Sequence, residues 1–344
     1  MAKKKSSNGV SSIDVARLAG VSQAAVSRTY TPGASISDRM RQKVLAAAEQ
    51  LGYQPNIIAR SLSGKSTRLV GIIMVKIGDP FYAKILAAFS RKLQEKGYWS
   101  LLLNVNEDLP LDDVFPQALQ YQVDGIVLTS ATLSSTIASQ CTAMGVPVVM
   151  FNRFSLEVEV NAVGCDHTGG ARLLADLLVK AGHKRFAYIS GEENSSTNRE
   201  RERGFTERLA DLGHELHARE SGDYSYESGY IAAGKLLNAK ERPDALFCAN
   251  DFMAIAAIDQ ARSLGLKVPG DLSVVGFDDA SMAGWPRYSL TTIRQPVDRL
   301  VEATVDVLVN AIEIPENERV IKVIPGRLVV RDSARLPVEQ IRKN

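Results

Sequence analysis

From Leu69 onward, short apolar runs alternate with longer segments of helical spacing, and this order constrains the fold more than any other feature of the sequence. The apolar runs are Leu69–Val75, Trp99–Asn104, Gly125–Thr129, Val146–Phe151, Phe186–Ser190, Leu246–Ala249 and Leu272–Phe277. Helical patterns lie between them over Tyr82–Lys96, Thr168–Ala181, Arg199–Leu212, Ser225–Asn238 and Phe252–Leu264. Such alternation predicts parallel sheets covered by helices on both faces. Because more than 250 residues belong to this alternating part of the chain, we expect two doubly wound α/β subdomains.

Composition and motifs narrow the class of protein. Hydrophobic residues make up 45% of the chain and charged residues 23%, which excludes a disordered or low-complexity protein. No run of about 18 apolar residues is present, so no membrane partner is expected. The N-terminus MAKKKSSNGV lacks the apolar stretch of a secretory signal, and the three cysteines are widely spaced, which favours a cytoplasmic location. No GxGxxG follows the first strand and no GxxxxGK[ST] occurs, so we expect no cofactor.

The charge of the chain is unevenly distributed. Residues 1–68 contain eleven Lys and Arg against three Asp and Glu, whereas the formal charge of the whole chain is only +2. Lys3, Lys4 and Lys5 account for three of these positive charges, and the others are spread through patterned sequence. A basic head on an acidic body favours a nucleic-acid module joined to a second unit.

The basic head has the pattern of three short helices. Ser12 precedes the run Ile13–Ala19, Gly20 breaks it, and Ser22 can cap a second helix over Gln23–Tyr30. Helix, glycine-containing turn and helix form the helix-turn-helix arrangement. Ser37 starts a third helix over Asp38–Leu51, and the expected core is Val15, Leu18, Val26, Val44 and Leu45.

The second helix of such a unit enters the major groove of DNA with its N-terminal residues at the base edges. Gln23 can bind adenine, Arg28 can bind guanine, and the methyl of Ala24 suits a thymine methyl or nothing. The alternative is that Gln23 and Arg28 are merely solvated. At these positions of this motif we favour contact with DNA.

These segments resemble the LacI/GalR family of bacterial transcription repressors. The resemblance rests on IDVARLAGVSQAAVSRTY, on VLAAAEQLGYQPNIIARSLSGKSTRLVGII, and farther on GFDD and LTTIRQP. It implies that Gln23 and Ala24 are specificity positions, that Arg28 is a third base contact, and that further residues contact DNA: Ser22, Ser27, Thr31, Ser37, Tyr53, Asn56 and Ala59. It also implies a hinge helix over Asn56–Ser63, with Leu62 wedged into the minor groove.

A hinge over these residues is physically reasonable. Asn56–Leu62 is too short to be a stable helix alone, and Ser63–Ser66 has the composition of a flexible connection. A segment that folds only on DNA can couple dimer geometry to DNA affinity. An apolar wedge unstacks a base step and bends the duplex. From the sequence alone, Leu62 could equally pack on the body.

Polar residues follow the predicted strands of the body, where ligands bind in such folds. The resemblance places an effector on Tyr82, Arg153, Arg201, Tyr224, Asn250 and Asp278, with Phe81 and Thr197 nearby and Trp285 as a candidate lid. Asp251 is expected to be a helix N-cap, and Asp166 and Asp279 to be structural. Arg153 and Arg201 suit a sugar acid, Asp278 suits a neutral sugar, and the aromatic residues leave a purine open.

The resulting organisation is a small all-α helix-turn-helix headpiece at 1–54, a hinge and linker at 55–68, and a periplasmic-binding-protein-like effector domain at 69–344. Its N-subdomain would span about 69–165 and 293–325, and its C-subdomain about 166–292 and 326–344. The expected partners are double-stranded operator DNA, a small-molecule effector such as a sugar or sugar acid, and a second copy of the chain in a homodimer.

Two other classes of function remain as alternatives. A sugar-binding receptor of transport or chemotaxis type would need neither the basic head nor its helix-turn-helix pattern. An enzyme would need a catalytic constellation, and we find none: His167 and His183 are expected to be caps or solvent contacts. We therefore expect a transcription repressor without catalytic or metal-binding residues.

Overall fold

The computed structural model describes residues 10–30, 34–54, 66–75, 80–105, 111–129, 135–154, 159–314 and 318–336. The chain divides into two compact units, Met1–Thr67 and Arg68–Asn344. None of the helices in these ranges is long and apolar enough to cross a membrane.

The first unit consists of three helices, α1 (Ser12–Ala19), α2 (Gln23–Thr29) and α3 (Asp38–Leu51). Ser11 is the N-cap of α1, where it forms a capping box with Asp14. Gly20 ends α1 in a left-handed conformation with φ 64°, which glycine adopts without steric cost. Ser22 caps α2 by accepting a hydrogen bond from the backbone N–H of Ala25.

The core of this unit differs in part from the expected one. Val15, Val26 and Val44 are buried as expected, together with Ala16, Ala47 and Ala48. Leu18 and Leu45 were expected in the core, but 46% and 38% of their surfaces are exposed. Small alanines occupy the helix contacts because three short helices pack closely, which leaves no room for the two leucines.

The second unit contains two six-stranded sheets. The first has the strand order β11-β5-β4-β3-β1-β2 and is parallel throughout. Its strands are β1 (Leu69–Val75), β2 (Trp99–Val105), β3 (Gly125–Leu128), β4 (Val148–Phe151), β5 (Asn161–Cys165) and β11 (Ile321–Ile324). The helices of this half are α4 (Pro80–Glu95), α5 (Leu111–Gln120), α6 (Ser135–Met144) and α11 (Val297–Glu313).

Alternate residues of β1 point to two different cores. Ile72 and Met74 pack in the cluster that contains Phe89 of α4 and residues of α11. Ile73 packs in a separate cluster with Phe115 of α5 and residues of α6. The sheet is therefore covered on both faces, as its continuous apolar strands predict.

The second sheet has the order β12-β10-β9-β8-β6-β7, with β12 antiparallel to β10 and the other pairs parallel. Its strands are β6 (Phe186–Ile189), β7 (Leu216–Glu220), β8 (Ala245–Cys248), β9 (Ser273–Asp278), β10 (Thr291–Arg294) and β12 (Arg327–Val329). The helices of this half are α7 (His167–Lys180), α8 (Ser196–Asp211), α9 (Tyr226–Leu237) and α10 (Asp251–Ser263), with a 3-10 turn at Ser281–Gly284.

The chain passes between the two sheets three times, after β5, after β10 and between β11 and β12. In the second passage, Arg294 still pairs with Asp278 at the end of β10, so the chain leaves the second sheet at Gln295. The three passages lie beside the carboxyl ends of the strands, which is where a site between the two halves would form.

Candidate effector cleft and DNA-binding helix

A polar cleft lies between the two halves of the second unit. The cleft is lined by residues at or just after the carboxyl ends of strands β3, β4, β8 and β9. Residues from α4, α8 and the passages between the sheets complete the lining. The lining side chains are Phe81, Tyr82, Thr129, Phe151, Asn152, Arg153, Glu192, Thr197, Arg201, Tyr224, Asn250, Asp278 and Gln295. The cavity open between these side chains measures about 50 Å³. Eight of the nine residues expected to bind effector therefore lie together.

The structure does not place Trp285, the candidate lid, with these residues. Its ring is 51% exposed and stacks on Tyr288, with the ring centroids 6.5 Å apart. Five lining residues were not anticipated from the sequence: Thr129, Phe151, Asn152, Glu192 and Gln295. Asn152 and Gln295 directly follow strands, which is the signal that could have identified them.

Arg201 is the buried cation of the C-terminal half. Its Nη2 lies 3.1 Å from Oδ1 of Asp278, and its guanidinium stacks on the Phe277 ring at 3.9 Å. Its Nη1 donates to the carbonyl of Ala249. The Arg201 guanidinium therefore contacts a carboxylate, a carbonyl and an aromatic face at once. A buried ion pair requires such additional partners.

His167 lies behind this arginine and is buried, although it was expected at a cap or in solvent. Its Nδ1 accepts a hydrogen bond from Nε of Arg201 at 3.3 Å. Burial and the adjacent positive charge of Arg201 hold the pKa of His167 well below its ordinary value. The imidazole is therefore neutral, and it adds no charge to the cleft.

A chain of hydrogen bonds crosses the cleft from one half to the other. Nε2 of Gln295 donates to Oδ1 of Asp278 at 2.6 Å, and Nδ2 of Asn152 donates to Oε1 of Gln295 at 2.8 Å. Oδ1 of Asn152 also accepts from the backbone N–H of Cys165 at 3.0 Å. Asn152 therefore ties together two of the three passages, and Gln295 links them to the ion pair of Arg201.

Arg153 is the second buried cation of the cleft. Its Nη1 donates to the hydroxyls of Ser195 and Thr197, and its Nε donates to the carbonyl of Thr129. The hydroxyls of Ser195 and Thr197 also lie 3.1 and 3.0 Å from the hydroxyl of Tyr224. All the acceptors around Arg153 among the described residues are thus neutral.

The N-cap of α10 is not the residue that the sequence predicted. Asn250, and not Asp251, is the N-cap: its Oδ1 accepts from the backbone N–H of Met253, and its Nδ2 donates to the carbonyl of Tyr224. Asp251 is buried beneath the cleft, where it accepts from the Thr292 hydroxyl and from the backbone N–H of Ala280. Burial, together with the charge of Asp278, raises the pKa of Asp251 above its ordinary value.

The other residues expected to be structural have clear partners. Asp166 caps α7 by accepting from the backbone N–H of Gly169 at 2.7 Å. Asp279 forms ion pairs with Arg294 and Arg331. The described residues contain no cluster of three His, Cys, Asp or Glu side chains that could hold a metal ion.

The candidate DNA-reading surface is the exposed side of α2. Ser22, Gln23, Ala24, Ser27 and Arg28 are all exposed, as is Ser37 at the N-terminus of α3. Tyr53 is half-buried, with its ring 6.1 Å from that of Tyr30. Nε2 of Gln23 donates to the hydroxyl of Ser12 at 3.0 Å. Thr31, Asn56, Ala59 and Leu62 lie outside the described residues.

A helix-turn-helix unit and a two-sheet body with a cleft define a DNA-binding regulator controlled through a second domain. Residues 13–56 match the family of bacterial regulatory proteins named after lacI, and residues 175–334 match a periplasmic binding protein-like domain. The catabolite control protein A of Priestia megaterium is 32% identical over 94% of this chain and 98% of its own. The transcriptional repressor PurR of Photobacterium profundum is 29% identical over the same shares. The chain belongs to the LacI family.

Solved structures agree with this assignment. The lac repressor dimer bound to operator and the anti-inducer ONPF superposes with a TM-score of 0.86 at 29% identity, over 95% of this chain and 99% of that one. The complex of the transcriptional regulator CelR with cellobiose gives a TM-score of 0.73 at 30% identity, over 94% and 100%. The match covers both the DNA-binding unit and the two-sheet body.

Proposed function

We propose that this protein represses carbohydrate-metabolism genes, binds a pseudo-palindromic operator as a homodimer, and is controlled by a small effector in the cleft. One observation carries the proposal: exposed side chains of α2 that could pair with bases and a polar cleft at the strand ends occur in one chain. It acts through two binding events, DNA at α2 and effector at the cleft, and needs no catalytic group.

Recognition of DNA follows from the chemistry of α2. The amide of Gln23 can pair with N6 and N7 of adenine, and the guanidinium of Arg28 with O6 and N7 of guanine. Both side chains are exposed and lie five residues apart on the same short helix. Ser22 and Ser27 flank them with hydroxyls suited to phosphate oxygens.

A carbohydrate is favoured by the mixture of groups in the cleft. Asp278 and Asn250 offer oxygens and amide groups for hydroxyls, and the rings of Phe81 and Tyr82 offer an apolar face. The related CelR was solved with cellobiose. These features support a sugar or sugar derivative over a nucleobase.

A homodimer is supported by exposed apolar side chains on the second unit. At the edge strand β2, Trp99 and Leu102 are exposed, and on α9 so are Tyr226, Tyr230 and Ile231. Unpaired edges and apolar patches of this kind mark association surfaces. The lac repressor was solved as a dimer on operator. A two-fold assembly would present two copies of α2 to two half-sites.

The cleft is narrow, since the lining side chains leave only about 50 Å³ open between them. We expect a bound sugar to move side chains or the two halves apart. The hydrogen-bonded chain of Asn152, Gln295 and Asp278 crosses this space and would rearrange. Linkage then requires that operator DNA change effector affinity by the same factor as effector changes operator affinity.

The test is selection of bound duplexes from a random DNA library with the full-length protein, followed by anisotropy titrations of the selected site. We expect an inverted repeat and a loss of affinity for each half-site alone. Effectors are then screened by thermal shift, and a hit is added to the titration. An Asp278→Asn variant should bind operator as the wild type does and fail to respond to the hit.

A sugar-binding receptor without a DNA role would give the opposite result. It would show ligand-dependent stabilisation but no enrichment of any DNA sequence above the library. That outcome would overturn the proposed repressor and leave the cleft as the functional site.

A further inference from the structure

The positive charges of the two buried arginines in the cleft are compensated differently. Arg201 faces the carboxylate of Asp278 at 3.1 Å, so its charge is compensated within the protein. Around Arg153, the described residues place no carboxylate oxygen within 4.0 Å of a guanidinium nitrogen. Arg153 is nevertheless only 9% exposed. A cation buried to this degree normally has an anionic partner.

The terminal nitrogen Nη2 of Arg153 identifies where that partner would bind. Nε and Nη1 are occupied by Thr129, Ser195 and Thr197, whereas Nη2 has no acceptor among the described residues. Arg153 also lines the cavity. The two free N–H groups on Nη2 are therefore available to a ligand in the cleft.

The first turn of the sixteen-residue helix α8 supplies a second, independent feature. Its N-cap residue, Ser195, forms no side-chain cap, because its hydroxyl instead receives Nη1 of Arg153. The hydroxyl of Ser196, the first helical residue, is buried without a hydrogen-bond partner among the described residues. A helix N-terminus with uncapped N–H groups carries partial positive charge and favours an anion.

We propose that the effector carries an oxyanion, a carboxylate or a phosphate, which binds Nη2 of Arg153 beside the first turn of α8. The uncharged part of the molecule then lies toward Tyr82, Asn250 and Asp278, which line the same cavity. The effector class is thus a sugar acid or sugar phosphate, and this assignment rests on the proposed control by effector.

The first experiment uses inorganic phosphate as the probe and the full-length protein. Thermal unfolding is followed while phosphate replaces chloride at constant ionic strength, in the wild type, in Arg153→Gln and in Arg199→Gln. Arg199 is an exposed residue of α8 whose side chain donates to the carbonyl of Asn194. Its substitution therefore removes an equal charge outside the cleft. Phosphate stabilises proteins generally through exclusion from their surface, and that part is common to all three.

We expect phosphate to raise the melting temperature of the wild type and of Arg199→Gln more than that of Arg153→Gln. Loss of a charge-assisted hydrogen bond should weaken phosphate binding at least about tenfold. Equal responses of all three proteins would overturn the proposal. If Arg153→Gln does not fold, the wild type decides: its response must saturate with phosphate concentration, and a linear response would overturn the proposal.

A second arm separates the two sources of oxyanion. Matched sets of neutral aldoses, their aldonic or uronic acids and their phosphates are compared by the same method. Stabilisation by acids alone or by phosphates alone names the class, and stabilisation by neutral sugars with no anionic member would overturn the proposal. Operator titrations on the same samples fail only if the repressor function is wrong, so the two failures are distinguishable.

Discussion

At the scale of single residues, the sequence identified most of the side chains that line the cleft but not the hydrogen bond between Asn152 and Gln295 that crosses it. Arg153, Arg201 and Asp278 stand out in a sequence because their charges need an explanation. Asn152 and Gln295 do not, since amides are common in loops, and their role depends on a hydrogen bond between residues 143 positions apart. Such a pairing follows from the fold and not from local pattern.

Arg28 provides a direct test of the reading helix. Replacement of Arg28 by Ala should weaken operator binding by about 1–3 kcal/mol and relax discrimination at one base pair. The physical reason is loss of a bidentate contact to guanine. Titrations against operators that vary at each position measure this. Uniform weakening for all sequences would instead make Arg28 a phosphate contact.

His183 should make the stability of the body depend on pH. Its imidazole is fully buried beside Asp244 and Arg335, and burial followed by the charge of Arg335 lowers its pKa to about 4. Below pH 6.5 the unfolded chain binds a proton that the folded protein does not. The free energy of unfolding should therefore fall as the pH drops from 6.5 towards 4, by at most about 1.4 kcal/mol per pH unit from this group.

Urea unfolding curves between pH 7 and pH 4 measure this dependence. In a His183→Gln variant the slope should be smaller, with a remaining contribution of the same sign from the buried His167. An unchanged slope in the variant would show that His183 does not contribute.

At the scale of elements, strands with a nearly continuous apolar sequence were predicted, including the edge strand β2, and strands without one were not. The runs that became β1, β3, β4, β6, β8 and β9 are almost continuously apolar. By contrast, β7 has alternating burial at an edge, and the residues of β11 are mostly exposed. Of the strands that were missed, β7, β11 and β12 lie at sheet edges and bury few side chains. The other two, β5 and β10, are internal, but their sequences NAVGC and TTIR contain small and polar residues and no continuous apolar run.

The connection after β4 can be tested through Asn152. This residue has φ 58° and holds two passages of the chain through its side chain. Glycine adopts a positive φ without strain, so Asn152→Gly leaves the backbone conformation accessible and removes both side-chain hydrogen bonds. We expect a loss of about 1–3 kcal/mol in the free energy of unfolding. Gln122→Gly is the matched control, since exposed Gln122 has φ 52°. Equal effects of the two substitutions would contradict the role of the Asn152 side chain.

At the scale of the whole molecule, the expected assembly is a dimer. Two operator half-sites related by a two-fold axis require two copies of the chain. Light scattering on this chain should therefore give a mass of about twice 37.4 kDa. A tetramer would contradict this, and a monomer at micromolar concentration would remove the basis for a two-fold operator.

The interleaving of the two sheets also has a consequence for biosynthesis. The first sheet begins at Leu69, but its last strand, β11, is complete only at Ile324, and α11 covers it only once residues 297–313 have been made. The second sheet likewise closes with β12 at Arg327–Val329. On the ribosome, neither half can reach its final form until nearly the whole chain has emerged. During translation, the exposed strand edges of the body therefore need protection from aggregation. We expect this need to last longer than in a domain with a single sheet.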